Sequence, residues 1–571
     1  MPTQATLPEE IQRRVNDWLT GPFDEKTKAE ILSLKQSNPQ ALIDAFYSDL
    51  SFGTGGLRAL MGPGTCRINV YTIRLATQGL ANYLRKQNST RKLSVLIGFD
   101  SRHHSQEFAE EAAKVLAGNG IHVYLLAELR PTPYISFACR YKKANAAIMI
   151  TASHNPKEYN GYKVYWSDGA QVVEPHDESI VKEVDSLKDL SSVKMTSLND
   201  PLIEIVPTSL DDHYLSAIAP LQHFPKECQK NGASLKIVYT SLHGTGITMV
   251  PKALKAWGFS TIHLVENQVT IDGDFPTVKF PNPEYKETLA LGIKHLEKTG
   301  SDIVLATDPD ADRIGIVVRH QGKSVLLNGN EIAAICVDYL SEVLPKIEKG
   351  AFVTTIVSTP LLKKIAENNH MACFEVLTGF KYIGEKIHVW ELSKEGYQFI
   401  FGAEESYGYL LGTHARDKDA IIAACLIAEI TLHAKMQGET LVDLLNRIYK
   451  KYGIFREKQI AINFSPGKEG MEQMAAMMRR LRSSPPKTIH GQSVASIEDY
   501  MTQKTDLPKS DVLLLRLEDH TRLVIRPSGT EPKIKIYGSV SSENFESIES
   551  GIVECDVRLD RYLESFKKDV S

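Results

Sequence analysis

Ala146-Ala147-Ile148-Met149-Ile150-Thr151-Ala152-Ser153-His154-Asn155-Pro156, running on to Tyr159-Asn160-Gly161-Tyr162-Lys163-Val164-Tyr165, decides the fold. The apolar run 146–150 reads as a buried strand that ends in small, polar, turn-forming residues. Proline disfavours helix at the residue before it and fixes its own φ, so Asn155-Pro156 turns the chain out of the strand. Ser153 is thereby presented at the carboxyl end of a strand, where open α/β sheets bind ligands. It is the first candidate nucleophile or phosphate carrier, and Lys163 follows on the next apolar stretch.

The same layout recurs twice. Strand 93–99 precedes strand 146–150 and its polar loop 151–156. Strand 235–239 precedes strand 302–306 and the loop Thr307-Asp308-Pro309-Asp310-Ala311-Asp312-Arg313. Strand 352–357 precedes strand 398–401 and the loop Gly402-Ala403-Glu404-Glu405-Ser406-Tyr407-Gly408. Strands alternating with helical stretches imply α/β units with parallel sheets. The last section differs: short strands at 513–517 and 523–525 lead to Arg526-Pro527-Ser528-Gly529-Thr530-Glu531-Pro532, an alternating strand 534–537 and a helical tail 542–566.

The expected fold class is therefore α/β: three similar α/β domains with mixed or parallel sheets, and a smaller C-terminal α+β domain. Boundaries are expected near 205, 322 and 450, giving segments 1–205, 206–322, 323–450 and 451–571. Helices at 9–19, 25–36 and 39–50 read as an N-terminal extension packed on the first domain. After them, the three glycines of Phe52-Gly53-Thr54-Gly55-Gly56-Leu57-Arg58 permit close backbone approach, and Arg58 could clamp a phosphate. This is no P-loop, since no Gly-Lys-Ser/Thr follows.

At 571 residues the chain is too long for one core. Its 66 basic and 70 acidic side chains leave a net charge of -4, which gives no electrostatic case for nucleic acid or an anionic membrane as partner. The N-terminus has neither a basic start nor an apolar stretch, and the longest apolar run, 420–428, is too short to span a bilayer. Seven scattered cysteines without metal spacing read as reduced thiols of a cytoplasmic chain.

Asp308, Asp310 and Asp312 alternate after a strand, so three carboxylates can converge on one hard cation such as magnesium. Arg313 and Arg319 stand where an EF-hand needs glycine and glutamate, which excludes that reading. An aspartyl-phosphate enzyme using Asp308 and a plain acidic turn are the rivals. Ser153-His154 lacks the Gly-x-Ser-x-Gly elbow of a hydrolase. Lys163, if crowded by cations and burial, would have a lowered pKa suited to proton transfer. Arg526, Ser528 and Thr530, with the backbone of Gly529, make a donor-rich turn for a phosphate dianion. Glu404 and Ser406 could bind vicinal sugar hydroxyls or cap a helix.

Occurring together and in order, Thr151-Ala152-Ser153-His154-Asn155-Pro156, Asp308-Pro309-Asp310-Ala311-Asp312-Arg313, Glu404-Glu405-Ser406-Tyr407-Gly408 and Arg526-Pro527-Ser528-Gly529-Thr530 closely resemble the loops of the α-D-phosphohexomutase family. The resemblance covers nearly all of the chain beyond residue 45. The N-terminal helices, Gly53 to Arg58 and Ser241-Leu242-His243-Gly244-Thr245-Gly246 are most similar to its larger phosphoglucomutase/phosphopentomutase branch. Ala403 and Pro309 replace glycines usual in the family and leave the ligating residues in place.

The resemblance implies four domains around a central cleft, with phosphoserine at Ser153 and one Mg2+ held by Asp308, Asp310, Asp312 and the serine phosphate. It implies Arg58 and Lys163 at the transfer site with His154 assisting. Arg313, Lys381, Glu404 and Ser406 would bind the substrate sugar phosphate, and Arg526, Ser528, Gly529 and Thr530 the phosphate not being transferred. The implied activity interconverts α-D-glucose 1-phosphate and glucose 6-phosphate through a sugar bisphosphate, by a monomer or weak homo-oligomer. Mannose or pentose phosphates and bisphosphate synthesis stay open at this point, as do a sugar phosphatase and a silent sugar-phosphate binder.

Overall fold

The structure, a computed structural model, describes residues 7–50, 56–87, 92–187, 189–345, 347–465, 468–502, 506–528 and 532–570. The chain forms two compact units. One takes in the chain up to Gln222 with Lys236–Ile314 and His414–Cys425, and the other His223–Leu235, Gly315–Thr413 and the chain from Leu426 onward.

In the first unit, strands β1 (Gly56–Leu60), β2 (Ser94–Phe99), β3 (His122–Leu126), β4 (Ala146–Ile150), β5 (Tyr159–Trp166) and β6 (Ile203–Val206) form one sheet in the order β1-β5-β4-β2-β3-β6. β4, β2, β3 and β6 run parallel; β5 is antiparallel to β4, and β1, antiparallel to β5, returns to their direction. All five residues of β4 are buried, as its unbroken apolar run requires of a strand covered on both faces. Helix Thr132–Lys142 packs closely enough that a Cβ on Gly98 would lie 2.2 Å from Ile135 Cδ1.

The N-terminal helices Glu9–Thr20, Glu25–Ser37 and Pro39–Phe46 bury Trp18, Leu42 and Phe46 against Tyr71 of helix Val70–Gln87. Asp24 caps the second helix and accepts the Tyr71 hydroxyl. The third helix was expected to reach residue 50 and stops at Phe46. Beyond it the backbone bonds to a neighbouring segment instead: Leu50 N donates to Thr65 O, and Thr65 Oγ1 to Ser48 O.

β7 (Ile237–Thr240), β8 (Ile262–Leu264) and β9 (Ile303–Thr307) form a parallel set with β7 central. After the aspartate loop, β10 (Ile314–His320) and β11 (Lys323–Leu327) make an antiparallel hairpin. Its two-residue turn, Gln321-Gly322, has positive φ at both positions, the geometry that matches strand twist. Residue 322, near which a boundary was expected, falls inside this hairpin, between two paired strands of one sheet.

In the second unit, β12 (Gly350–Thr355), β13 (Ala372–Val376), β14 (Gln398–Glu404) and β15 (Gly408–Leu411) form a sheet in the order β13-β12-β14-β15. The first three are parallel and β15 is antiparallel to β14. The C-terminal section is different, as expected. β16 (Ile454–Asn463), β17 (Thr488–Ile489), β18 (Gln492–Asp499), β19 (Leu513–Leu517), β20 (Arg522–Pro527) and β21 (Lys533–Ser542) form an antiparallel sheet in the order β16-β21-β20-β19-β18-β17. Helix Ile548–Val570 covers it with Leu559, Leu563 and Phe566. The fold is thus α/β with mixed sheets and a smaller C-terminal domain. None of the seven cysteines forms a disulfide. Among the described residues no single helix is long and apolar enough to cross a membrane.

Candidate active site

The loop after β4 holds Ser153 in the left-handed region at φ 51°, uncommon for a residue with a Cβ. Its equivalents in the other two units of the repeat behave alike: Ala311 has φ 49° and Tyr407 φ 65°. Such backbone costs about 1–3 kcal/mol per residue and persists only where surroundings hold it. At Ser153 the chief restraint is Arg102. Its guanidinium donates to Pro156 O at 2.8 Å and Tyr159 O at 3.1 Å, and also to the carbonyls of Ser153 and Asn155. Asp100 lies 3.4 Å from the same buried guanidinium and the Phe275 ring 5.1 Å. Thr151 Oγ1 accepts from Ser153 N at 2.8 Å.

The aspartate loop after β9 closes on itself: Asp308 Oδ1 accepts Asp312 N at 3.1 Å and Arg313 N at 3.0 Å. Thr245 N and Oγ1 both donate to Pro309 O, at 2.7 and 2.9 Å. That approach demands Gly244, where a Cβ would come within 2.2 Å of Pro309 Cα.

These two loops meet. Ser153 Oγ donates to Asp308 Oδ2 at 2.8 Å and lies 3.1 Å from His154 Nδ1. Lys163, on β5, donates to Asp310 Oδ2 at 2.9 Å and Asp312 Oδ2 at 3.3 Å. Lys418 reaches Asp312 Oδ2 at 3.2 Å and Asp417 Oδ1 at 3.0 Å. Asp417 in turn accepts from Tyr165 and Gln171, each at 2.8 Å. Arg58, exposed on β1, donates to Asn155 Oδ1 at 3.1 Å, and Arg313 pairs with Glu284 at 2.6 Å.

The electrostatics follow from burial and sign. Burial and the neighbouring Asp310 and Asp312 push the Asp308 carboxyl well above its ordinary value. Burial would raise Asp312 too, but Lys418, Lys163 and Arg313 hold it far below. His154 is kept well below the ordinary imidazole value by burial and by Arg313 and Arg58, so its ring is neutral. The expected lowering of Lys163 is corrected. Burial does oppose its charge, yet Asp310, Asp312 and Asp417 outweigh it and raise its pKa. Around this ammonium the carboxylates outweigh the one neighbouring cation, Lys418.

The three aspartates fit a metal ion. They are buried, and each offers a ligand oxygen within 4.8 Å of the others. Asp310 Oδ1 and Asp312 Oδ1 are buried without a hydrogen-bond partner, a costly state that a cation relieves.

The other predicted residues lie in the second unit. Glu404 ends β14, is buried, and accepts Gly379 N at 3.0 Å; Lys381, buried on helix Phe380–Leu392, sits 5.0 Å from the Tyr382 ring centroid. Ser406 stands in the turn before β15. Arg526 is on β20, and Ser528 N donates to Lys533 O at 2.8 Å. Burial and the Glu405 charge raise the Tyr537 hydroxyl, while the charge of Arg526 and a hydrogen bond with it lower it, so the loop after β14 and the end of β20 share the surroundings of one tyrosine. Gly529 and Thr530, like Gly53, Thr54 and Gly55, lie outside the described residues.

Sequence reasoning missed Arg102, Thr132, Asp417 and Lys418. The signal for the last two was present: Arg416-Asp417-Lys418-Asp419 is a charge run directly before the apolar stretch at 420 and is buried. Nothing local distinguished Arg102 or Thr132.

Three family models match the chain: phosphoglucomutase/phosphomannomutase alpha/beta/alpha domain I over residues 49–190, domain II over 212–322 and domain III over 328–452. A phosphoglucomutase of Staphylococcus haemolyticus is 38% identical over 524 residues, covering 89% of this chain and 93% of its own. One of Staphylococcus aureus is 37% identical over 560 residues, covering 95% and 97%. Among solved structures, a phosphomannomutase homologue from Thermus thermophilus superposes with a TM-score of 0.69 at 21% identity, covering 92% of this chain and 99% of its own. The open form of a Paramecium phosphoglucomutase, parafusin, gives 0.68 at 18%, covering 90% and 95%.

Proposed function

The chain belongs to the phosphoglucomutase/phosphomannomutase family, and we propose that it is a phosphoglucomutase interconverting α-D-glucose 1-phosphate and glucose 6-phosphate through phosphoserine at Ser153. The observation that carries this reading is Ser153 Oγ hydrogen-bonded at 2.8 Å to a buried cluster of three aspartates. A hydrolase serine has no use for such neighbours, whereas a phosphoserine needs a cation held beside it.

In the forward reaction the 6-hydroxyl oxygen of glucose 1-phosphate attacks phosphorus as the P–Oγ bond of phosphoserine breaks. The hydroxyl proton leaves to a base, and Ser153 Oγ takes up a proton. The resulting bisphosphate presents its 1-phosphate, and the reverse transfer recharges Ser153 and releases glucose 6-phosphate. During recharging the Ser153 Oγ–H proton must leave, and Asp308 Oδ2 and the neutral His154 Nδ1 are both within reach. Lys163, which faces Asp310 and Asp312, is the cation beside the transferring group and its general acid or base. Arg58 joins it at the transferring group. Asp308, Asp310 and Asp312, with the serine phosphate, would hold one Mg2+ per chain, which would supply charge neutralisation of the phosphoryl group.

Glu404, Ser406 and Lys381 hold the sugar, with Arg313 as a further substrate contact. Arg526, Ser528, Gly529 and Thr530 bind the phosphate at rest. A sugar bisphosphate serves as activator, and the enzyme works in the cytoplasm as a monomer or weak homo-oligomer, with domains 1–205, 206–322, 323–450 and 451–571.

The test is to incubate the chain with glucose 1,6-bisphosphate and measure its intact mass. One phosphoryl group mapping to Ser153 is expected, with Ser153→Ala unlabelled and mutase turnover lower by about 10³-fold or more. Labelling on Asp308 would sink the phosphoserine reading. Faster turnover of mannose or ribose 1-phosphate than of the glucose ester would overturn the sugar assignment.

A further inference from the structure

Resting on the reading of Asp308, Asp310 and Asp312 as cation ligands, we infer that Thr132 is a positioning residue for that site, fixing one oxygen of Asp310 so that the other is presented to the cation. Thr132 opens helix Thr132–Lys142 and is completely buried. Its Oγ1 donates to Asp310 Oδ2 at 2.7 Å, and its backbone N donates to Asp310 O at 2.8 Å. The residue therefore grips Asp310 at both main chain and side chain, across 178 positions of sequence.

The distribution of donors on that carboxylate is uneven. Oδ2 receives Thr132 Oγ1 and Lys163 Nζ, while Oδ1 is buried with no hydrogen bond. A carboxylate can swap its oxygens by rotating, and two donors fixed on one oxygen prevent this. Oδ1 is left with its lone pairs free in a cluster of ligand oxygens. The first N–H of the helix, that of Thr132, is satisfied by the aspartate loop itself, which ties the loop to the helix start. Partners behind a metal ligand of this kind orient it and strengthen it as a donor.

Thr132→Val keeps the size and the backbone bond and removes only the hydroxyl. The experiment titrates Mn2+ into the full chain, following free Mn2+ by electron paramagnetic resonance, with unfolding midpoints in EDTA measured in parallel. Thr132→Val is expected to bind Mn2+ about 10–100-fold more weakly, and Thr132→Ser, which retains the hydroxyl, to restore binding. If Thr132→Val does not fold, Thr132→Ala makes the same comparison. A lowered midpoint in EDTA with unchanged Mn2+ affinity would overturn the inference, because a merely structural role predicts that result. An unmutated chain that fails to bind Mn2+, or binds it equally after Asp310→Asn, overturns the cation reading and this inference with it.

Discussion

The Ser153 loop and the aspartate loop occupy equivalent places after buried parallel strands, and each carries one non-glycine residue in the left-handed region. They are held by opposite means. The serine loop 151–156 carries no acidic or basic side chain beyond the His154 ring, and a single buried cation, Arg102, gathers three of its backbone carbonyls together with that of Tyr159 on β5. The aspartate loop carries three buried carboxylates, and its stability rests on Lys163 and Lys418 opposing that charge. One scaffold thus delivers a serine hydroxyl fixed through its backbone beside carboxylates fixed through their side chains. A reacting oxygen needs position without added charge, whereas a cation site needs concentrated charge that the fold must balance.

The largest way to break this contrast is at the counter-charge. Lys418→Met should destabilise the chain by roughly 3 kcal/mol or more in EDTA, since removing one partner of a buried ion pair strands the other. Denaturant unfolding measures it, and a loss near zero would mean that Lys163 alone balances the loop. Next is the staple. Arg102→Lys keeps the charge but not the fork that spans the carbonyls, so kcat should fall about 100-fold with little change in KM, as expected for a nucleophile displaced by about 1 Å. A change confined to KM would show that the loop is set by other contacts.

The smallest effect is on pH. The His154 ring has a folded pKa well below the 6.5 of the free side chain, so the unfolded chain binds a proton that the folded one refuses. Stability should therefore fall as pH drops below 6.5, and His154→Gln should flatten that fall in urea unfolding at pH 5 compared with pH 7.5. An unaltered slope would assign the fall to other groups.

Much of this was legible in the chain. Strand 146–150, the three repeated strand-loop units and the distinct C-terminal α+β section all followed from apolar runs bounded by turn residues. The aspartate triplet was legible as a candidate cation site because three like charges spaced two apart repel unless a cation offsets them. The third helix was over-extended because its last residues bond to segment 65–66, which local propensity cannot foresee. Lys163 was given the wrong direction because its neighbours, Asp310, Asp312 and Asp417, lie far along the chain.

The sequence by itself determined which residues have chemistry to offer: the serine, three aspartates, arginines and lysines in turn-rich loops at strand ends. Side-chain type and strand periodicity are local properties and survive without a fold. Only the tertiary structure decided their states. It put Ser153 Oγ on Asp308, placed Lys163 and Lys418 against Asp312, set Thr132 behind Asp310 and left Oδ1 of Asp310 free. Protonation, orientation and ligand geometry depend on burial and on charges within a few ångströms, and those are fixed by contacts between residues more than a hundred positions apart.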